Sequence, residues 1–132
     1  MALPALPQTG LHVAQLFDGS FKRRSGATEV YMKGRSVRDY GLNVFRSLSV
    51  STSMLDEVRL MEQLVRLDAR YAVNKEESYK GQALYYGFYQ LPRYKGLNRY
   101  LFYKHTRQQP VTLIYLEGKA SIQEIKRRFL KR

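Results

Sequence analysis

Few residues of this sequence have the type and spacing that catalysis requires. The two histidines, His12 and His105, lie far apart in the chain, and neither has neighbours at metal-ligand spacing. The two pairs of adjacent acidic residues need no catalytic role, because residues 56–57 lie at a predicted helix start and residues 76–77 lie in a predicted solvated loop. The chain has no cysteine and no HExxH, GxSxG, Walker or GxGxxG motif. We therefore expect no metal, no cofactor and no catalytic residue.

One arrangement keeps an enzymatic alternative open. His105 lies beside Lys104 and Arg107, with Tyr103 nearby. A metal-free ribonuclease needs only a general base, a general acid and cations on the phosphate, and these residue types can supply all three. A histidine at the surface end of a strand explains the same residues without catalysis. A small ribonuclease is thus the second alternative function.

The charge balance points to binding instead. The chain has 132 residues with 23 Lys and Arg against 11 Asp and Glu, a formal net charge of +12. Self-repulsion on this scale lowers stability, which favours a polyanionic partner that compensates it. Nucleic acid is the first choice, because each neutralised phosphate releases condensed counterions. We thus predict a non-catalytic, strongly basic accessory protein that binds nucleic acid.

An acidic protein complex is the alternative partner. The chain has 14 arginines against 9 lysines, and arginine is the better interface cation. Its 11 tyrosines would then be interface anchors, since tyrosine and arginine are enriched at binding hot spots. In that alternative the protein is a basic linker or assembly subunit seated among acidic proteins.

Membrane insertion and secretion are not expected. No stretch of the chain approaches the ~20 apolar residues that cross a bilayer. The first ten residues lack a basic segment followed by an apolar run, so they do not read as a signal peptide. We therefore predict a cytoplasmic protein without a membrane span.

The middle of the chain is both basic and aromatic. Between Glu77 and Glu117 there is no acidic residue, and nine aromatic residues lie from Tyr79 to Tyr103. Side chains alternate between the two faces of a strand, so Tyr85 and Tyr89 would share one face, with Gly87 leaving flat access between them. Single-stranded nucleic acids stack their bases on exposed aromatic rings. Cross-strand packing of the same rings is the alternative reading.

Cations elsewhere in the chain would contact phosphates in the N-terminal arm and the last helix, and bases at a hairpin tip where cations flank an aromatic ring. Three arginines also form a stripe on one face of a predicted helix, which is either a contact surface or a solvated face. Two further clusters lie in the N-terminal arm and in the last helix. The complete predicted binding set is Lys22, Arg23, Arg24, Arg59, Arg66, Arg70, Tyr85, Tyr89, Arg93, Tyr94, Lys95, Arg99, Lys126, Arg127 and Arg128.

Periodicity and turn residues predict the elements that must position these side chains. Residues 1–26 form a partly irregular arm whose apolar residues from Leu11 to Phe17 could dock on the body, and residues 27–132 form one domain. Strands are predicted at 27–33, 40–50, 82–90, 98–105 and 111–116, with a helix at 54–72 and a polar break at 74–78. Ser53 is the predicted N-cap of the helix at 54–72, and a short last helix begins at the capping box of Ser121 and Glu124.

The predicted fold class is α+β. The economical assembly is an antiparallel sheet, made of a three-stranded meander plus an N-terminal hairpin, with two helices packed on one face. The opposite face of that sheet would then expose its tyrosines.

Overall fold

A computed structural model describes residues 11–17, 26–106 and 109–129, and these form a single antiparallel sheet with helices. The strand order is β1-β2-β6-β5-β4-β3. The strands are β1 (Ala27–Lys33), β2 (Leu42–Val50), β3 (Asn74–Lys80), β4 (Ala83–Tyr94), β5 (Leu97–Lys104) and β6 (Val111–Gly118). The helices are a 3-10 helix (His12–Phe17), α1 (Arg35–Arg38), α2 (Leu55–Ala69) and α3 (Ile122–Phe129). The α+β class with an antiparallel sheet is therefore confirmed.

The two main helices lie on opposite faces of the sheet. Buried residues of α2, such as Met61 and Val65, pack with Leu101 and Tyr103 of β5. Ile125 of α3 instead belongs to a second apolar cluster. That cluster includes residues such as Tyr100, whose side chains point to the other face of the same strands. The prediction that both helices share one face is wrong. Only residues 119–121 connect β6 to α3, so the short C-terminal helix folds back on the face that α2 leaves open.

The strand β3 was not expected, because its sequence is polar along its whole length. Residues 74–80 pair with β4 at the edge of the sheet, so both faces of β3 are largely exposed and its side chains need not be apolar. The predicted three-stranded meander is consequently four-stranded, β3-β4-β5-β6. The N-terminal hairpin β1-β2 joins it through the pairing of β2 with β6.

Helix ends follow the local prediction in one case and not in the other. In α3, the Ser121 hydroxyl accepts the Glu124 N–H while the Glu124 carboxylate accepts the Ser121 N–H, both at 3.3 Å, which confirms the capping box. The expected cap of α2 by Ser53 is wrong. Met54 is the N-cap residue, without a side-chain cap, and the Ser53 hydroxyl bonds Ser51 instead.

Residues before the domain take part in its core. The 3-10 helix buries Val13, Leu16 and Phe17 against α2 and the sheet. Asp68 of α2 anchors it, because its buried carboxylate accepts the backbone N–H groups of His12 and Val13 at 2.8 and 2.9 Å. The chain from Leu11 to Phe17 is therefore packed in the described part of the structure.

Three buried tyrosines predict loss of stability at alkaline pH. Burial raises the pKa of Tyr89, Tyr103 and Tyr115 well above the ordinary value of 10.0, and hydrogen bonds to Glu77 and Glu117 raise the pKa of Tyr89 and Tyr115 further. As pH rises above about 10, the unfolded chain loses these protons before the folded chain does, so the free energy of unfolding falls. We expect urea midpoints to decrease steadily above about pH 10, with the tyrosinate absorbance of the buried rings appearing only as the protein unfolds. Constant midpoints across this range would contradict the prediction.

Candidate nucleic-acid interface

A groove lies where the N-terminal half of α2 crosses the start of β4. It consists of two adjoining concavities of about 460 and 300 Å³ that share Ala83 and His105. We call the two together the basic groove. The larger is lined by α2, and the smaller is lined by the β3–β4 turn and the residues that follow β5. The polar and charged lining residues are Thr52, Arg59, Glu62, Gln63, Arg66, Lys80, Tyr85, His105 and Thr106.

Hydrogen bonds to the Glu62 carboxylate hold the two walls of the basic groove together. Its carboxylate accepts the backbone N–H of Leu84 at 3.0 Å and pairs with the Arg66 guanidinium at 3.2 Å. Arg66 in turn donates to the Gln82 carbonyl and lies over the Tyr79 ring at 5.2 Å. Glu62 is the only acidic residue among the groove residues that the structure describes. Because the Glu62 carboxylate is paired with Arg66, it neutralises the charge of Arg66 and leaves the other cations of the groove without an acidic partner in the described part of the chain.

Arg59 and Lys80 are the cations available to a ligand in the basic groove. Both are exposed, and neither forms an ion pair within the described residues. The Lys80 ammonium lies 4.2 Å from the centroid of the Tyr85 ring, which is itself half-buried. The backbone N–H of His105 donates to the Tyr85 carbonyl at 2.8 Å and fixes this end of β4 against the chain that leaves β5. The groove thus combines two available cations with one partly accessible aromatic ring.

Tyr89, in contrast, is not available for stacking. It is 0 % exposed in the core beneath α2, and its hydroxyl donates to Glu77 at 2.7 Å. Its ring lies across Gly87, where an added Cβ would be 2.4 Å from the Tyr89 hydroxyl oxygen. The prediction of an exposed Tyr85–Tyr89 pair with flat access at Gly87 is therefore wrong. The space beside the Gly87 backbone is filled by the ring of Tyr89 from the same strand.

Substitution of Gly87 is expected to destabilise the fold through this contact. Gly87→Ala should lower the free energy of unfolding by about 2 kcal/mol or more, because overpacking a filled core forces side chains or backbone to shift. In a Tyr89→Ala background the same substitution should have little additional effect, since the overlapping ring is gone. Urea unfolding of the four proteins in this double-mutant cycle measures the coupling. Equal effects of Gly87→Ala in both backgrounds would contradict the assignment.

The hairpin tip between β4 and β5 lies at the other end of the sheet, about 30 Å along β4 from the basic groove. Arg93 donates to the Gly96 carbonyl at 2.8 Å, and the Tyr94 ring has Lys95 and Arg99 at 5.4 and 5.3 Å from its centroid. Arg99 is buried and donates to the Tyr115 hydroxyl at 3.2 Å. The expectation that Arg99 faces a ligand is therefore wrong, because it is part of the packed face beneath the tip.

The remaining predicted residues are dispersed. Lys126 pairs with Glu76 at 2.9 Å, and the Arg128 guanidinium lies over the Tyr40 ring at 5.4 Å. Arg127 and Arg70 are exposed at the ends of α3 and α2. The predicted residues Lys22, Arg23 and Arg24 lie outside the described residues. The cations thus form separate patches, and the basic groove brings together three predicted residues from different elements, Arg59, Arg66 and Tyr85.

Only part of the ribonuclease cluster suggested around His105 lies in the described residues. Tyr103 is buried, and its hydroxyl has no hydrogen-bond partner within the described residues. Lys104 is the last residue of β5, directly before His105, and does not line either concavity of the basic groove. Arg107 lies outside the described residues. Within the described residues, neither Tyr103 nor Lys104 forms a hydrogen bond with His105, and the ribonuclease alternative stays a prediction.

Lys80 and His105 belong to the groove but were not in the predicted binding set. Lys80 could be placed only by knowing that residues 74–80 form a strand that turns into β4. His105 is a candidate only in the ribonuclease alternative. The sequence did contain a signal for both residues, because they lie in the stretch after Glu77 that has no acidic residue.

Comparison with known proteins gives a family but no described function. A family model matches residues 1–129, and its description is a family of unknown function, DUF6108. No curated protein matches the chain, and no solved structure matches it either. Over the described ranges, no helix has both the length and the apolar character needed to cross a bilayer.

Proposed function

Since the chain belongs to the DUF6108 family, whose function is unknown, we propose from its own residues that it binds nucleic acid at the basic groove without catalysis. The observation that carries the proposal is the placement of Arg59 and Lys80, both without acidic partners in the described residues, on either side of a groove that contains Tyr85. Phosphates are the anions that two such cations bind, and an aromatic ring between them adds a surface for a base.

The groove suits a single strand better than a duplex. Lys80 lies over the Tyr85 ring in the free protein, and its flexible side chain can leave the ring for a phosphate. The vacated ring face then accepts an unpaired base, a contact of about 1–3 kcal/mol. Bases within a duplex are stacked on their neighbours and are not available in this way.

Fluorescence anisotropy with labelled single- and double-stranded RNA and DNA at two salt concentrations tests the proposal. We expect tighter binding of single strands, with the logarithm of affinity falling linearly as the logarithm of salt concentration rises. Protein purified from cells should carry absorbance at 260 nm that nuclease treatment removes. Failure to bind any of the four ligands at low salt would overturn the proposal.

An acidic protein partner is the second candidate, and an exposed apolar pair favours it. Tyr71 and Val73 are each 62 % exposed just after α2, next to the exposed Arg70. Tyrosine and arginine together are typical of protein-binding hot spots. In this case the purified protein would carry a stoichiometric acidic protein and no nuclease-sensitive absorbance.

A further inference from the structure

The two edges of the sheet differ in how well they are protected against pairing. The edge strand β3 carries Lys75, Glu76, Glu77 and Lys80, and its register with β4 shifts between Ser78 and Tyr79. Charges and irregular register are the devices that keep an edge from adding another strand. The other edge, β1, is paired with β2 in one continuous register over all its seven residues. It contains neither a proline nor a bulge.

The centre of β1 exposes large apolar side chains. Val30, Tyr31 and Met32 are 39, 43 and 36 % exposed, in consecutive positions of a strand whose outer edge has no partner strand among the described residues. A regular edge that exposes apolar side chains is a template for a further strand. A partner must therefore supply an extended segment that matches this pattern of side chains.

From this asymmetry we propose that β1 pairs with β1 of a second copy of this chain, antiparallel and centred on Tyr31. In that register Val30 of one copy lies opposite Met32 of the other, and Glu29 lies opposite Lys33, each pair occurring twice by symmetry. Glu29 of each copy thus lies opposite Lys33 of the other, so a second copy of the same strand supplies the complementary charges. The six-stranded sheet of each copy would become half of a continuous sheet.

Contacts within one copy support this register. Glu29, Tyr31 and Lys33 alternate with Val30 and Met32, so charged and apolar pairs lie on opposite faces. The buried Glu29 side chain bonds Arg46 through Oε1 at 2.5 Å, and its Oε2, which is also buried, has no hydrogen-bond partner within the described residues. On the other face, Met32 is in register with the partly buried Phe45, so a paired Val30 would extend an apolar row.

Cysteine cross-linking tests the register directly, because the chain contains no cysteine of its own. Residues directly opposite in an antiparallel pair have Cα atoms about 4.5–5.5 Å apart, which suits a disulfide. An oxidised mixture of Val30→Cys and Met32→Cys chains should give a cross-linked dimer. Each variant oxidised alone should give at least tenfold less, since its cysteines would be diagonal neighbours. Equal yields in all three samples, or none, would overturn the proposed register.

Sedimentation of the full chain tests the dimer itself. We expect a concentration-dependent dimer in the wild type, and at least a tenfold higher dimer dissociation constant in Lys33→Glu, where Glu29 meets a second carboxylate. Lys75→Glu makes the same change on the protected edge and should leave the dimer unaffected. A monomer at all concentrations, or equal effects of the two variants, would overturn the proposal. Since nucleic acid is absent from both experiments, their outcome is independent of the proposed binding function.

Discussion

Reversing the two available cations of the basic groove, in the variant Arg59→Glu/Lys80→Glu, is expected to abolish measurable binding of single-stranded nucleic acid at moderate salt. Each cation that neutralises a phosphate contributes about 0.7 to the slope of log affinity against log salt for a single strand. Neutral substitutions at the same two sites should therefore lower that slope by about 1.4, and reversal adds repulsion of the phosphates. Anisotropy titrations over a salt series measure both quantities. Neither side chain forms an ion pair within the described residues, so the fold should be preserved.

A matched variant tests whether position or total charge matters. Arg35→Glu/Arg38→Glu reverses two exposed cations of α1, outside the groove, and changes the net charge equally. It should reduce affinity only slightly. Arg93→Gln/Lys95→Gln examines the hairpin tip that the sequence favoured, and it should also have the smaller effect. If the tip or α1 variant weakens binding as much as the groove variant does, the basic groove is not the contact surface.

Replacing Asp68 is expected to cause a large loss of stability. Asp68→Ala removes the acceptor of two backbone N–H groups, at His12 and Val13, and leaves the buried Val13 N–H without a partner. Hydrogen bonds to a charged group contribute about 1.5–3 kcal/mol each, so we expect a loss of about 3 kcal/mol in the free energy of unfolding. Urea unfolding measures the loss, and limited proteolysis should show faster cleavage near the 3-10 helix.

The control for this variant is Asp56→Ala on the same helix. Asp56 is exposed in the first turn of α2, where an acidic side chain interacts with the helix dipole. Its loss should cost about 0.5 kcal/mol and leave the proteolysis pattern unchanged. Equal destabilisation by the two substitutions would show that Asp68 acts through its helix and not through its bonds to the 3-10 helix.

Elements with strong local signals were predicted closely. The strand at 27–33 has the predicted bounds, and α3 begins with the predicted bonds between Ser121 and Glu124. Both depend on side-chain alternation or on contacts three residues apart, which the chain order specifies. The strand β3 was missed for the opposite reason. This polar segment forms a strand because it pairs with the edge of β4, and no local sequence pattern shows that this edge is available.

The candidate site was predicted in part for the same reason. The arginine stripe of α2 follows helical periodicity, and Arg59 and Arg66 do line the groove. Strand alternation likewise placed Tyr85 and Tyr89 on one side of β4, but alternation does not say which side a helix covers. Because α2 packs over this face, Tyr89 is buried while Tyr85, near the strand end, stays partly accessible.

By itself the sequence determined the α+β class, most strands, the two longer helices and a large surplus of positive charge, since composition and short-range periodicity suffice for these. Only the tertiary structure decided that the helices cover opposite faces, that Tyr89 and Arg99 are buried, and that Lys80 and His105 meet Arg59 around a groove. Those relations join residues distant in the chain. They depend on which apolar faces pack against one another in the folded chain, and no short stretch of sequence specifies that packing by itself.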